Sequence, residues 1–121
     1  MGRMPSFASP ALDYKEPELD LNELCIKHRS ATYFFHASSN SFTDSDIKDG
    51  DVLVIDRAET ANHGDTVIAI INGEYVVKVL LVRPHLALQA INADHPTVYP
   101  DPDELEIFGV VTWFLHAARR G

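Results

Sequence analysis

Hydrophobic positions recur along the chain with two different periods. Leu21, Leu24, Cys25 and His28 fall at i, i+3, i+4 and i+7, which lines one face of a helix. Asp20, followed three residues later by Glu23, is a capping-box variant at its start. A short amphipathic helix is therefore expected, with Lys27, His28 and Arg29 near its negative end. From residue 31 the pattern becomes that of strands. Residues 31–36 are rich in aromatics, and 52–56 form an apolar run opened by the turn Lys48-Asp49-Gly50. Residues 66–71 and 75–82 flank Asn72-Gly73, the strongest short-range hairpin signal a sequence offers. Residues 86–91 and 105–115 bring the expected total to about six or seven strands. Pro84, Pro96, Pro100 and Pro102 punctuate the connections. Without βαβ alternation, the pattern predicts a mainly β fold: an antiparallel or mixed sheet with one hairpin and a minor helix.

Composition adds boundaries. Residues 1–18 hold Pro5, Pro10 and Pro17 with Gly2, Ser6 and Ser9, which predicts an extended N-terminal arm ahead of one domain over 19–121. The 121 residues suffice for one core and are too few for two. Apolar residues make up 45% and charged residues 23%, a globular composition. With 18 acidic against 10 basic side chains the net charge is −8, which disfavours direct nucleic-acid binding and points to protein partners. The single Cys25 cannot form an internal disulfide, and there is no signal-peptide core or run of about 18 apolar residues. A cytoplasmic protein without a membrane anchor is the expectation. The six histidines show no HxxxH spacing, so a zinc site would have to be assembled from scattered positions, and no metal or cofactor is expected.

Candidate chemistry starts at the second arm of the hairpin. A side-chain period of two places Tyr75, Val77, Val79 and Leu81 on one face and Val76, Lys78, Leu80 and Val82 on the other, so Lys78 is the one charge on two apolar faces. A lysine stripped of hydration by apolar neighbours is a usable general base. The same pattern also fits an edge-strand lysine that discourages aggregation and reaches out to water. Ser38, Ser39 and Ser41 lie in the polar turn after the aromatic strand, where a rigid sheet can present a nucleophile, although a serine-rich turn is also simply a turn. His63-Gly64-Asp65 precedes a strand and is expected to be a turn rather than a catalytic pair. Trp113 and Phe114 fall on opposite faces of the last strand, as core and partner surface. Cys25 is expected to be a small buried hydrophobe of the helix.

A longer set of motifs selects among these. Ala31-Thr32-Tyr33-Phe34, Ala37-Ser38-Ser39-Asn40-Ser41-Phe42 and Ile47-Lys48-Asp49-Gly50-Asp51-Val52-Leu53-Val54-Ile55-Asp56 resemble the nucleophile block of the UmuD and LexA family of self-cleaving serine peptidases. Thr60-Ala61-Asn62-His63-Gly64-Asp65, Gly73-Glu74-Tyr75-Val76-Val77-Lys78, Leu81-Val82-Arg83-Pro84 and Phe108-Gly109-Val110-Val111 come next, in family order. Upstream, Phe7-Ala8-Ser9-Pro10-Ala11, Asp13-Tyr14 and Leu19-Asp20-Leu21-Asn22-Glu23-Leu24 resemble UmuD specifically. The resemblance implies the β fold of the LexA and UmuD C-terminal domain, with Ser41 as nucleophile and Lys78 as general base. It further implies attack of Ser41 Oγ on a peptide carbonyl, transfer of its proton to Lys78, and backbone N–H groups of the turn around Ser41 holding the oxyanion.

Two departures from the family pattern stand out. Ser39, Asn40 and Phe42 replace the usual Gly-Asp before and Met after the nucleophile, and a Cβ at a former glycine restricts the backbone that aims the oxyanion donors. No Ala-Gly or Cys-Gly dipeptide occurs, and Met4-Pro5-Ser6-Phe7 stands where the family's cleavable bond would align. The chain thus resembles UmuD′, the processed form, although a longer chain cut back to its mature domain would read the same way. The implied role is a homodimeric accessory subunit that joins a UmuC-type Y-family polymerase and a RecA filament in error-prone synthesis past DNA lesions. The alternative is a serine endopeptidase that cleaves UmuD-type arms in trans.

Overall fold

The computed structural model describes residues 18–38, 47–91 and 96–119. The helix α1 covers Leu21–Cys25, and the strands are β1 (Thr32–His36), β2 (Val52–Asp56), β3 (Thr66–Ile71), β4 (Glu74–Leu81), β5 (Ala87–Ala90) and β6 (Glu106–Leu115). The six strands form a single sheet in the order β1-β2-β6-β3-β4-β5, and every named pair is antiparallel. The mainly β expectation holds, and the sheet is antiparallel rather than mixed.

The hairpin forms where Asn72-Gly73 demanded it. Both residues have positive φ, 53° and 80°, as a two-residue turn between right-twisted strands requires, and Ile71 pairs with Glu74 across it.

The helix is shorter than the periodicity predicts. Asp20 caps it by accepting from the Asn22 N–H at 2.9 Å, but the chain turns extended at Ile26. His28 then heads a 3-10 turn, Arg29–Ala31, and its carbonyl accepts from the Ala31 N–H and from Thr32 Oγ1. These local bonds satisfy the His28 carbonyl outside any α-helix, which is why the helical spacing stops short of it. Of the apolar stripe, Cys25 is buried as expected, while Leu21 and Leu24 stay 54% and 46% exposed.

Strand β6 gives the sheet its shape. Against β2, Val54 pairs with Trp113 and Ile55 with Val111, so Thr112 is an extra residue; against β3, Ile68 pairs with Gly109 and Ala69 with Ile107, so Phe108 is another. Two bulges on one central strand bend and twist the sheet. The consequence is visible across it. Strands β1 and β4 are separated by four strand spacings, roughly 19 Å in a flat sheet, yet the Phe35 and Tyr75 rings meet with centroids 5.4 Å apart. Phe108, at its bulge, touches both of those rings and Tyr33 as well.

Both faces of the curled sheet are covered, as the two apolar faces of β4 predict. One cluster holds Ala37, Ile47, Leu53, Ile55 and Ile68 with Val77 and Phe108 packed against it. The other holds Val67, Ala69, Leu80, Leu88 and Val110, covered by Val76, Leu86, Val98 and Leu105. Removing each fully buried Leu or Ile from water contributes roughly 1.5–3 kcal/mol before entropy is counted. Trp113 and Phe114 differ from expectation: both are exposed, at 40% and 41%, so neither serves as core within the chain.

Candidate active site

Lys78 sits within β4, opposite Val67 of β3 on one side and Ala90 of β5 on the other. The strand is interior, so the edge-strand reading of this lysine is wrong: both backbone edges at this position are already paired. Burial on both faces of the hairpin leaves the Lys78 side chain half-buried.

Four consecutive residues of β4, Tyr75 to Lys78, line a cavity of about 470 Å³. Its remaining lining comes from Leu53 and Ile68, from Phe35 and His36 at the end of β1, and from Ala37 and Ser38 just beyond that strand. Curling of the sheet makes this cavity, because it brings the exit of β1 against β4. The lining is chemically mixed: apolar and aromatic side chains, the Lys78 amine, the His36 imidazole, the Tyr75 phenol and the hydroxyl of Ser38. That composition suits an extended peptide with an apolar side chain, held beside a group able to move a proton.

The described residues on either side of positions 39–46 are joined in a closed neck. The Ala37 N–H donates to the Asp51 carbonyl at 2.8 Å, and the Gly50 N–H to the Ala37 carbonyl at 2.6 Å. Asp51, 2% exposed, reinforces the neck from inside: Oδ2 accepts from the Lys48 N–H at 2.8 Å, and Oδ1 lies 2.6 Å from His116 Nδ1. Thus the start of β2 is tied to the chain leaving β6. Ser41 itself, with Ser39, Asn40 and Phe42, lies outside the described residues, as does the expected arm up to residue 17. Ser38, three residues before Ser41, is described and belongs to the same cavity lining as Lys78.

One further expectation is met at residues 63–65. His63 and Gly64 form a turn, in which His63 Nδ1 accepts from the Val82 N–H at 2.9 Å and Asp65 accepts from the Asn62 N–H at 2.8 Å. His63 and Asp65 therefore hold a loop to the end of β4. The side chain of His28 reaches Asp56, which is 3% exposed, with Nδ1 2.6 Å from Oδ2. Burial alone pushes the Asp56 carboxyl up, but the hydrogen bonds from His28 and from the Ala58 N–H outweigh it and hold the group below its ordinary value. With the carboxylate ionised, the ring nitrogen is the donor in that contact. Sequence reasoning missed both His–Asp pairs, since their partners are 28 and 65 residues apart and no local pattern announces them.

Among the described residues no helix is long and apolar enough to cross a membrane. Also among them, His28, Asp56 and Glu59 are the group of possible metal ligands that the fold brings together.

Comparison with known proteins agrees with the motifs. The Peptidase S24-like family profile matches residues 3–112. The chain is 52% identical over 111 residues to "Protein MucA" of Salmonella typhimurium, which covers 90% of this chain and 76% of that protein. It is 49% identical over 113 residues to "Protein SamA" of Salmonella typhimurium strain LT2, covering 93% and 79%. A more distant relative is the "LexA repressor" of Syntrophobacter fumaroxidans, 28% identical over 89 residues, covering 73% of this chain and 43% of that protein. The chain belongs to the Peptidase S24-like family, the family of UmuD and LexA that its motifs resemble.

Proposed function

We infer that the protein is a UmuD′-like accessory subunit of an error-prone translesion DNA polymerase, working in the SOS response and retaining Ser41 and Lys78 as a serine/lysine dyad. The observation that carries this reading is the extent of similarity: about half of the residues are identical to MucA and SamA over nine-tenths or more of this chain. An acidic chain of net charge −8 suits a subunit that meets DNA through protein partners, here a UmuC-type Y-family polymerase and a RecA filament, rather than by itself. Trp113, Phe114 and Leu115 at the end of β6 and Tyr33 and Phe34 on β1 leave apolar surface for a second copy or a partner.

The test is copurification. The tagged chain, expressed with a UmuC-type polymerase, is expected to retain the polymerase through purification and to elute as a homodimer. A chain that elutes alone under every condition tried would count against the subunit role.

A specific observation also favours the second reading, a peptidase acting in trans. Lys78 and Ser38 line one cavity, and at most about 11 Å of chain separates Ser38 from Ser41. In this reading Ser41 Oγ attacks the scissile carbonyl of another chain's arm, Lys78 takes the hydroxyl proton and then passes it to the leaving amine, and water releases the acyl group. Incubation with a full-length UmuD-type substrate whose own nucleophile is removed should yield arm cleavage that Ser41→Ala and Lys78→Ala each abolish. Absence of any serine-dependent product between pH 7 and 10 sinks this reading and leaves the subunit role standing.

A further inference from the structure

The geometry points to a binding site for a divalent transition-metal ion, of the zinc class, formed by His28, Asp56 and Glu59. None of the three lines the Lys78 cavity, so the proposal stands apart from the function proposed above.

One donor atom from each residue lies within 4.8 Å of the other two. His28 Nδ1 is 2.6 Å from Asp56 Oδ2 and 3.9 Å from Glu59 Oε2. Donors around a tetrahedral zinc ion stand about 3.4 Å from one another, so the short pair has to open by about 0.8 Å, the His28–Glu59 pair to close by about 0.5 Å, and the two carboxylate oxygens to close by up to about 1.4 Å. Small side-chain rotations supply that, and the backbones are already placed. Thr32 pairs with Asp56 in the β1–β2 ladder while its Oγ1 donates to the His28 carbonyl at 2.6 Å. The second oxygen of Asp56 accepts from the Ala58 N–H at 2.8 Å, which fixes the carboxylate plane and leaves Oδ2 for the ion.

The donor set decides the kind of ion. An imidazole with two carboxylates suits zinc, cobalt or nickel, whereas calcium and magnesium prefer six or more oxygens. Three protein donors also leave a coordination position open. Asp56 forms the buried floor, and His28 and Glu59 are half-buried at the mouth, where water reaches them.

Charge favours an ion there. Two carboxylates converge on one imidazole, and the ammonium nearby, that of Lys27, is 3.6 Å from Glu59 on a side chain that is 75% exposed. An exposed lysine contact of this kind is weak and is displaced at little cost. On binding, the imidazole has to give up its Nδ1 proton to offer a lone pair, and a dication replaces that proton. The ion would then join the chain following α1 to the end of β2.

The test uses the whole chain, stripped with a chelator and titrated with zinc chloride by calorimetry and with cobalt chloride by visible absorption. The unaltered protein is expected to bind one ion per chain at this site and to show a zinc-dependent rise in melting temperature. Glu59→Gln, on a half-buried side chain that the core does not need, should weaken binding about tenfold or more. His28→Gln should abolish the cobalt spectrum, and His85→Gln, at an exposed histidine outside the group, should change nothing. The proposal is overturned if the unaltered chain takes up no zinc, or if Glu59→Gln and His28→Gln bind as tightly as it does.

Discussion

Phe35 and Tyr75 stand edge to face, ring centroids 5.4 Å apart and planes inclined at 77°, although four strand spacings separate β1 from β4. Their contact closes the curled sheet on the side where the cavity lies, and both rings line it. Phe108 bridges them from the β6 bulge, with its own centroid 5.4 Å from Phe35 and 5.3 Å from Tyr75. The Arg57 guanidinium covers its other side at 4.3 Å from the ring centre, and Arg57 Nε donates to the Phe108 carbonyl at 2.7 Å.

Removing the bridging ring should therefore cost more than removing an edge ring. Phe108→Ala deletes three aromatic contacts and a cation–π contact together, and a loss of about 3–5 kcal/mol is expected from urea unfolding. Tyr75→Ala, at an exposed ring, should cost less in stability and act mainly by widening the cavity. If Phe108→Ala unfolds at the same urea concentration as Tyr75→Ala, the bridging role is wrong.

Gly109 is held by space rather than by backbone angle. A Cβ there would lie 2.6 Å from Ile55 Cγ2 and 3.3 Å from the Asp56 carbonyl oxygen, at the point where β6 passes between its bulges. The methyl of Ile55 belongs to the buried core and has little room to retreat. Gly109→Ala should lower stability by about 1–3 kcal/mol through overpacking. The same change at exposed Gly73 would act by a different route, backbone strain at φ 80°, with no nearby atom to displace. A double variant pairing Gly109→Ala with Ile55→Leu, which removes the Cγ2 branch and keeps the side-chain volume, should recover part of the loss, and no recovery would show that the clash lies elsewhere.

The neck that joins Ala37 to Gly50 and Asp51 can be tested through its buried carboxylate. Asp51 bonds His116 with one oxygen and the Lys48 N–H with the other. His116→Ala leaves the second bond intact and exposes the first oxygen to water, so a cost of about 1 kcal/mol is expected. Asp51→Ala removes both anchors from a buried position and should loosen the neck, read as faster amide exchange at Ala37 and Gly50, whose N–H groups close it. Equal protection of those amides in both variants would argue against Asp51 as their anchor.

How far these features could be read from the sequence depends on how local their cause is. The Asn72-Gly73 turn is fixed by two adjacent residues, and every strand with clear alternation forms within a residue or two of its expected place. Lys78 was recognisable because it interrupts two apolar faces. Its interior position was not, since the order β6-β3-β4-β5 places β5 beside β4 through contacts that no local pattern encodes. The α1 stripe misled at His28 because a side chain that matches helical spacing is bound instead to Asp56, 28 residues away. The same distance hid the grouping of His28 with Asp56 and Glu59, which requires the β1–β2 pairing before it exists. The cavity depends on two bulges, and a bulge is one extra residue in a strand that otherwise reads as continuous.

Lys78 offers the sharpest test of the proposed chemistry, because charge and proton transfer can be separated there. A lysine that only balanced charge or filled space in β4 would be replaced adequately by arginine, which keeps a cation on a long side chain. A lysine that accepts the Ser41 proton would not, since the guanidinium holds its protons throughout the accessible pH range. Lys78→Arg should accordingly lose about 10²–10⁴-fold in kcat for cleavage in trans, as expected for removal of a general base, while substrate binding changes far less. Because position 78 is half-buried between Val67 and Ala90, the larger head also has to find room, and melting must be measured beside activity. Lys78→Met supplies the control: it keeps the unbranched stem, removes the charge, and should fold at least as well while remaining equally inactive. Retention of cleavage by Lys78→Arg at more than about a tenth of the original rate would remove Lys78 from the role of base.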